Sequence, residues 1–185
     1  MKRFTITTRL LVAAAVAIAA ASSLAQVATA GPAAPDVPTE IQVPDGNKPF
    51  LVGHAVGVQI WTCRAIGDGH AWDFVAPRAN LYDSRGKLLV THFAGPTWQA
   101  KDGSYVKGAV RDRVTVDPTA IPWLLLSVTE ASPLDDGRLS ATTFIQRLAT
   151  TGGLAPTAAT CGAGTVGTTA EVPYTADYVF WKAHG

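Results

Sequence analysis

The sequence has no run of basic residues, no apolar stretch of membrane-spanning length, no long amphipathic helical pattern and only two cysteines. Each shortage removes a class of function. Arg111 and Arg113 are an isolated pair of basic residues, and on a strand they share one solvated face. Nothing here resembles the basic stripe that a phosphate backbone requires, so no nucleic-acid partner is expected. The apolar run from Leu10 to Ala21 falls short of the roughly 20 residues that cross a bilayer, and no later run is longer. No membrane span is expected. Without helical crossovers, parallel α/β folds are excluded. His54, His70, His92 and His184 show neither H-x-H nor H-E-x-x-H spacing, and Ser104 lacks a G-x-S-x-G setting. The sequence therefore predicts no metal, no cofactor and no nucleophile elbow.

What the chain does have begins at the N-terminus. Lys2, Arg3 and Arg9 precede the Leu10 to Ala21 run, and small residues follow, ending Ala28-Thr29-Ala30. That order is a signal peptide over residues 1–30, with cleavage expected after Ala30 and a secreted or periplasmic product. Cleavage takes away three of the 15 basic residues and none of the 14 acidic ones, turning a net charge of +1 into −2. Residues 31–49 hold Pro32, Pro35, Pro38, Pro44 and Pro49, a composition that predicts an extended, poorly packed leader. Residues 50–185 then suit a single domain.

Within that domain, period two dominates. Val56, Val58 and Ile60 alternate with Gly57, Gln59 and Trp61, and further runs cover 70–75, 88–93, 105–116, 123–129, 139–148 and 174–181. Between them lie Asp83-Ser84-Arg85-Gly86, Lys101-Asp102-Gly103-Ser104 and Asp135-Asp136-Gly137, where glycine supplies the positive φ of tight turns. The expected fold is all-β, an antiparallel β-sandwich or barrel.

Two cysteines in an oxidising compartment most simply make one disulfide, here Cys63 with Cys161. The segment Gly162-Ala163-Gly164-Thr165-Val166-Gly167 spells G-x-G-x-x-G, but it stands close to the C-terminus with Pro173 and one strand after it. No βαβ unit can follow, so a dinucleotide site is not expected and the glycines read as a flexible connection. His92 and Trp98 bracket a Gly95-Pro96 bend, where an imidazole and an indole at a loop rim can hold a ligand by stacking and hydrogen bonding. Their structural reading is that Trp98 caps the core and His92 bonds backbone in the bend. In Tyr174 to Trp181, alternation puts Tyr174, Ala176, Tyr178 and Phe180 on one face and Asp177 with Trp181 on the other. Arg78 or Arg147 is the expected partner of Asp177.

The motifs Gly57-Val58-Gln59-Ile60-Trp61-Thr62-Cys63, Gly95-Pro96-Thr97-Trp98, Ile121-Pro122-Trp123, Ile145-Gln146-Arg147 and Tyr174-Thr175-Ala176-Asp177-Tyr178, in this order, resemble a family of exported bacterial and fungal proteins catalogued as domain of unknown function 3455. The resemblance covers nearly all of residues 43–181. It implies one domain and supports the cysteine pairing, and it brings no activity, cofactor or catalytic residue. The malate dehydrogenase label on some members is not expected to transfer, since no cofactor-binding half-domain fits. Two functions are expected on this basis. The first is a non-catalytic binding or surface module for a small molecule or extracellular partner, with Gln59, His92, Trp98, Arg147 and Asp177 as candidate ligand-binding residues. The second is a secreted hydrolase or lyase whose acid and base, among His92, Asp102 and Asp177, meet only in the fold.

Overall fold

The computed structural model describes Met1 and residues 31–185. The expected signal peptide lies outside the described residues. From residue 47 onward the chain forms eight strands: β1 Asn47–Ile66, β2 Gly69–Tyr82, β3 Leu88–Phe93, β4 Thr97–Ala100, β5 Tyr105–Val114, β6 Trp123–Ala131, β7 Thr142–Gly152 and β8 Thr169–Ala183. Each pairs antiparallel with the next, and β8 returns to β1, closing a barrel. Closure removes the unpaired edges that an open sheet exposes. Of the two all-β architectures expected, the barrel is the one adopted. The described residues include no α-helix and no helix long and apolar enough to cross a membrane.

The turns read from sequence are where strands reverse. Asp83 accepts bonds from the backbone N–H groups of Arg85 and Lys87 between β2 and β3. Asp102 does the same work between β4 and β5, accepting from the Ser104 N–H and hydroxyl and from the Arg138 N–H. These donors hold its carboxyl down at a pKa of about 2. The strand β4 was not among the expected runs, because it is short and follows directly on the Gly95-Pro96 bend. Gly57 is required by proximity: a Cβ there would sit 2.2 Å from the Arg78 carbonyl oxygen, so only glycine lets β1 pass this close to β2.

Alternation sorts the side chains into two cores. Ala79, Leu81, Val90, Trp98, Val106, Leu124, Leu126, Ile145, Tyr178 and Phe180 pack inside the barrel. The second cluster, Leu125, Leu148, Val179 and Trp181, belongs to the outer face of β6, β7 and β8, where it is covered by Ile41 with Val37 and Val43 beside it. Within the expected leader, Val37, Ile41 and Val43 are thus packed while most of residues 31–46 stay exposed, and the first strand begins at Asn47. Ile41 is fully buried in a 3-10 turn, Thr39–Ile41, and burial of a side chain that size contributes about 1.5–3 kcal/mol. The prolines straighten the approach, while the apolar outer stripe gives the strap something to cover.

Cys63, at the far end of β1, is bonded to Cys161 with a Cα–Cα distance of 5.4 Å. Closing a loop of 98 residues contributes about 4.7 kcal/mol in the chain-entropy model. The G-x-G-x-x-G segment lies in the loop this bond secures. It forms a single 3-10 turn, Ala163–Thr165, before β8 and opens no helix.

Candidate functional site

Four of the five candidate residues, Gln59, His92, Trp98 and Arg147, line one cavity of about 90 Å³ inside the barrel. Tyr178, Leu124, Leu126, Pro77, Pro96, Phe74 and Val110 complete its wall. A second space of about 310 Å³ shares Gln59, Phe74, Val110, Leu124 and Arg147 with it and adds Trp61, Arg113, Ile121 and Pro122. Phe74 and Val110 are part-exposed apolar residues. The two spaces thus form an inner chamber and an outer vestibule, with Gln59 and Arg147 at the junction.

Each polar side chain is held by its strand neighbours. His92 and Trp98 are direct cross-strand partners on β3 and β4, so both point inward and their rings stack at 4.2 Å with planes 8° apart. They are buried within the barrel, as the structural reading of core tryptophan and backbone-bonded histidine expected, and not on a loop rim. The Tyr178 ring meets both edge-on, at 5.2 Å from His92 and 5.7 Å from Trp98. His92 Nδ1 lies 2.9 Å from the Thr97 carbonyl oxygen. Because a carbonyl only accepts, Nδ1 carries the proton and Nε2 is left as an acceptor. Burial keeps the ring neutral: its pKa falls to about 3, against the pull of the Thr97 carbonyl and with help from the Arg147 charge.

Arg147 faces inward because β7 pairs it with Tyr178. Its Nε and Nη2 both donate to the Pro122 carbonyl, at 3.1 and 2.8 Å. Beside it, Thr150 donates to the Ile121 carbonyl, pinning the segment before β6 to the end of β7. Ala149 takes a φ of 48° within that irregular stretch, an uncommon conformation for a residue with a Cβ. No carboxylate pairs with Arg147 or Arg113 among the described residues. Burial raises the pKa of Tyr174 and Tyr178, so both hydroxyls stay protonated.

Gln59 and Trp98 are 2% and 1% exposed. Their donors, Gln59 Nε2 and Trp98 Nε1, have no hydrogen-bond partner in the protein. Gly153, at φ +77°, fixes the approach to Gln59, since a Cβ at that position would lie 3.0 Å from Gln59 Cγ. Its carbonyl accepts from Trp61 Nε1, which holds the vestibule's other indole.

Asp177 belongs elsewhere. It lies on the outer face of β8, opposite His54 on β1, and His54 Nδ1 is 2.6 Å from its Oδ1. The expected Arg147 partner fails by parity, being level with inward-facing Tyr178, and the expected Arg78 partner fails by position, lying farther along the outer face and pairing with Glu171. His92, Asp102 and Asp177 occupy three separate environments: the barrel interior, the β4–β5 turn and the outer face. Tyr178, Arg113 and Trp61 were not picked out from sequence as site residues. The inward parity of Tyr178 was available in the alternation, whereas Arg113 and Trp61 depend on irregular pairing in β5 and β1.

A family model described as Protein of unknown function (DUF3455) matches residues 44–182. No curated protein and no solved structure matches the chain.

Proposed function

The chain belongs to that family, whose description assigns no activity, and from the geometry we propose that it is an exported, non-catalytic binding module holding a small molecule at the mouth of its barrel. The observation that carries this reading is the pair of buried donors, Gln59 Nε2 and Trp98 Nε1, left without protein partners beside one cavity. A buried donor without a partner costs about 1–3 kcal/mol, and a fold that keeps two of them at one place gains when a ligand satisfies both. The surroundings suit binding: aromatic and aliphatic walls with a few convergent polar groups. They suit acid–base work poorly, since the imidazole in the lining has a pKa lowered to about 3, too weak a base near neutral pH, and no carboxylate is among the lining residues of either space. Export is supported by the order of basic, apolar and small residues in 1–30 and by the Cys63–Cys161 bond, which oxidising compartments maintain.

The reading is tested by a ligand-observed NMR screen of small charged and neutral fragments against the disulfide-bonded protein, repeated on Val110→Trp. Val110 is part-exposed and lines both spaces, so an indole there obstructs the entrance. Fragments that bind the parent and are released by the plug support the proposal. An empty screen, or binding indifferent to the plug, overturns it.

A further inference from the structure

The buried polar atoms left unpartnered beside the two spaces are both donors, and the charged side chains in the lining are both arginines. Gln59 contributes Nε2 and Trp98 contributes Nε1, both unpartnered. Arg147 stands at the junction and Arg113 at the outer lip, with no carboxylate paired to either and none in the lining. Such a site is wrong for a cation and incomplete for a neutral hydrocarbon. Building on the binding reading above, we propose that the ligand is a small monocarboxylate with a flat apolar body, its carboxylate seated between Gln59, Trp98 and Arg147.

The choice of a carboxylate over a more highly charged anion follows from the number of donors. Arg147 already gives two N–H groups to Pro122, which leaves two neutral donors and one part-occupied guanidinium to meet the head group. That set matches two oxygens sharing one negative charge. A doubly charged phosphate brought into the same apolar walls needs more compensation than this. The body of the ligand is set by the vestibule, where Trp61 and Phe74 meet edge to face at 5.4 Å and Leu124 and Val110 supply aliphatic walls. The chamber of about 90 Å³ is smaller than the roughly 150 Å³ cavity that takes benzene. The head group therefore enters the chamber and the ring stays in the vestibule.

The test is isothermal titration at pH 7 with benzoate and with benzamide, which share a shape and differ in charge. Benzoate is expected to bind on the order of tenfold more tightly or better, the factor that a hydrogen bond to a charged group typically supplies. Arg147→Gln should remove that advantage and Arg147→Lys should restore part of it. Arg113→Gln, on an exposed side chain whose loss leaves the fold intact, should weaken benzoate several-fold, and added salt should erase the difference from the parent. Equal affinity for benzoate and benzamide overturns the carboxylate while leaving the binding reading intact. Silence from both probes also overturns it, and the fragment screen then shows whether the binding reading falls with it.

Discussion

Two buried combinations of glutamine and tryptophan lie on opposite faces of the same sheet. Under the N-terminal strap, Trp181 Nε1 donates to Gln146 Oε1 at 2.9 Å, and Gln146 Nε2 donates to the Ile41 carbonyl at 2.7 Å. Inside the barrel, Gln59 Nε2 and Trp98 Nε1 find nothing. The residue types and the burial are alike, so neither composition nor depth explains the contrast. The outer network is closed by backbone from the strap, which makes docking of residues 31–46 specific as well as apolar: without Ile41 the Gln146 amide is stranded. The inner donors have no partner in the protein and belong to residues that line a cavity. Satisfied buried polar groups hold a structure together, while unsatisfied ones call for an explanation, which the proposed ligand supplies.

A titration separates the two regions most strongly, because a titratable side chain is buried only in the inner one. His92 has its pKa lowered from 6.5 to about 3 by burial first and the Arg147 charge second. The unfolded chain takes up this proton near pH 6.5 and the folded chain does not, so stability is full above that pH and falls as pH drops toward 3. At 1.36 kcal/mol per unit, the loss is about 2 kcal/mol by pH 5 and about 5 kcal/mol at the acid limit. Urea midpoints between pH 5 and 7 measure it before carboxylate protonation intervenes. His92→Asn, whose amide can replace the bond to Thr97, should flatten the slope; an unchanged slope would assign the pH dependence to other groups.

The outer network can be broken by Gln146→Leu. The substitution is apolar and of similar size, yet it strands the Trp181 indole N–H and the Ile41 carbonyl together. The expected cost is about 2 kcal/mol, read as a lower urea midpoint with faster amide exchange in residues 37–43. A variant as stable as the parent would mean that the strap is held by apolar contact alone.

How much of this was legible beforehand follows from what alternation encodes. Tyr174, Ala176, Tyr178 and Phe180 read as one face and are one face, all inside the barrel. The disulfide and the Asp102-Gly103 turn were equally readable, because each depends on residues whose chemistry leaves few choices. Closure through β1 and β8 was not, since that ladder joins the two ends of the sequence and no local pattern specifies it. The strap was hidden for a related reason: Leu125, Leu148, Val179 and Trp181 are spread over three strands, two of them on β8, and become a surface only when the strands stand side by side. Asp177 was assigned the wrong partner because parity alone does not say which strand lies beside it. Gln59, His92, Trp98 and Arg147 share a cavity that alternation could suggest only residue by residue.

The smallest effect tests the inner half of the comparison and has the opposite sign. Gln59→Leu exchanges one buried side chain for another of similar volume and removes Nε2, a donor with no protein partner to lose. In the ligand-free protein the chamber wall then carries one stranded polar group fewer. Relief of its desolvation is worth about 1 kcal/mol after allowing for imperfect packing of the shorter leucine. For a domain of this size that corresponds to a rise in Tm of roughly 2–4 °C, seen in a thermal melt at pH 7 without added ligand. Adding benzoate should reverse the order, stabilising the parent more than the variant, because in the proposed complex the same amide holds the head group. This is the exchange of stability for function that binding sites commonly show. A fall in Tm without ligand would show that Gln59 is already satisfied in the native barrel, and the difference between the two glutamines would then be one of hydration, not of purpose.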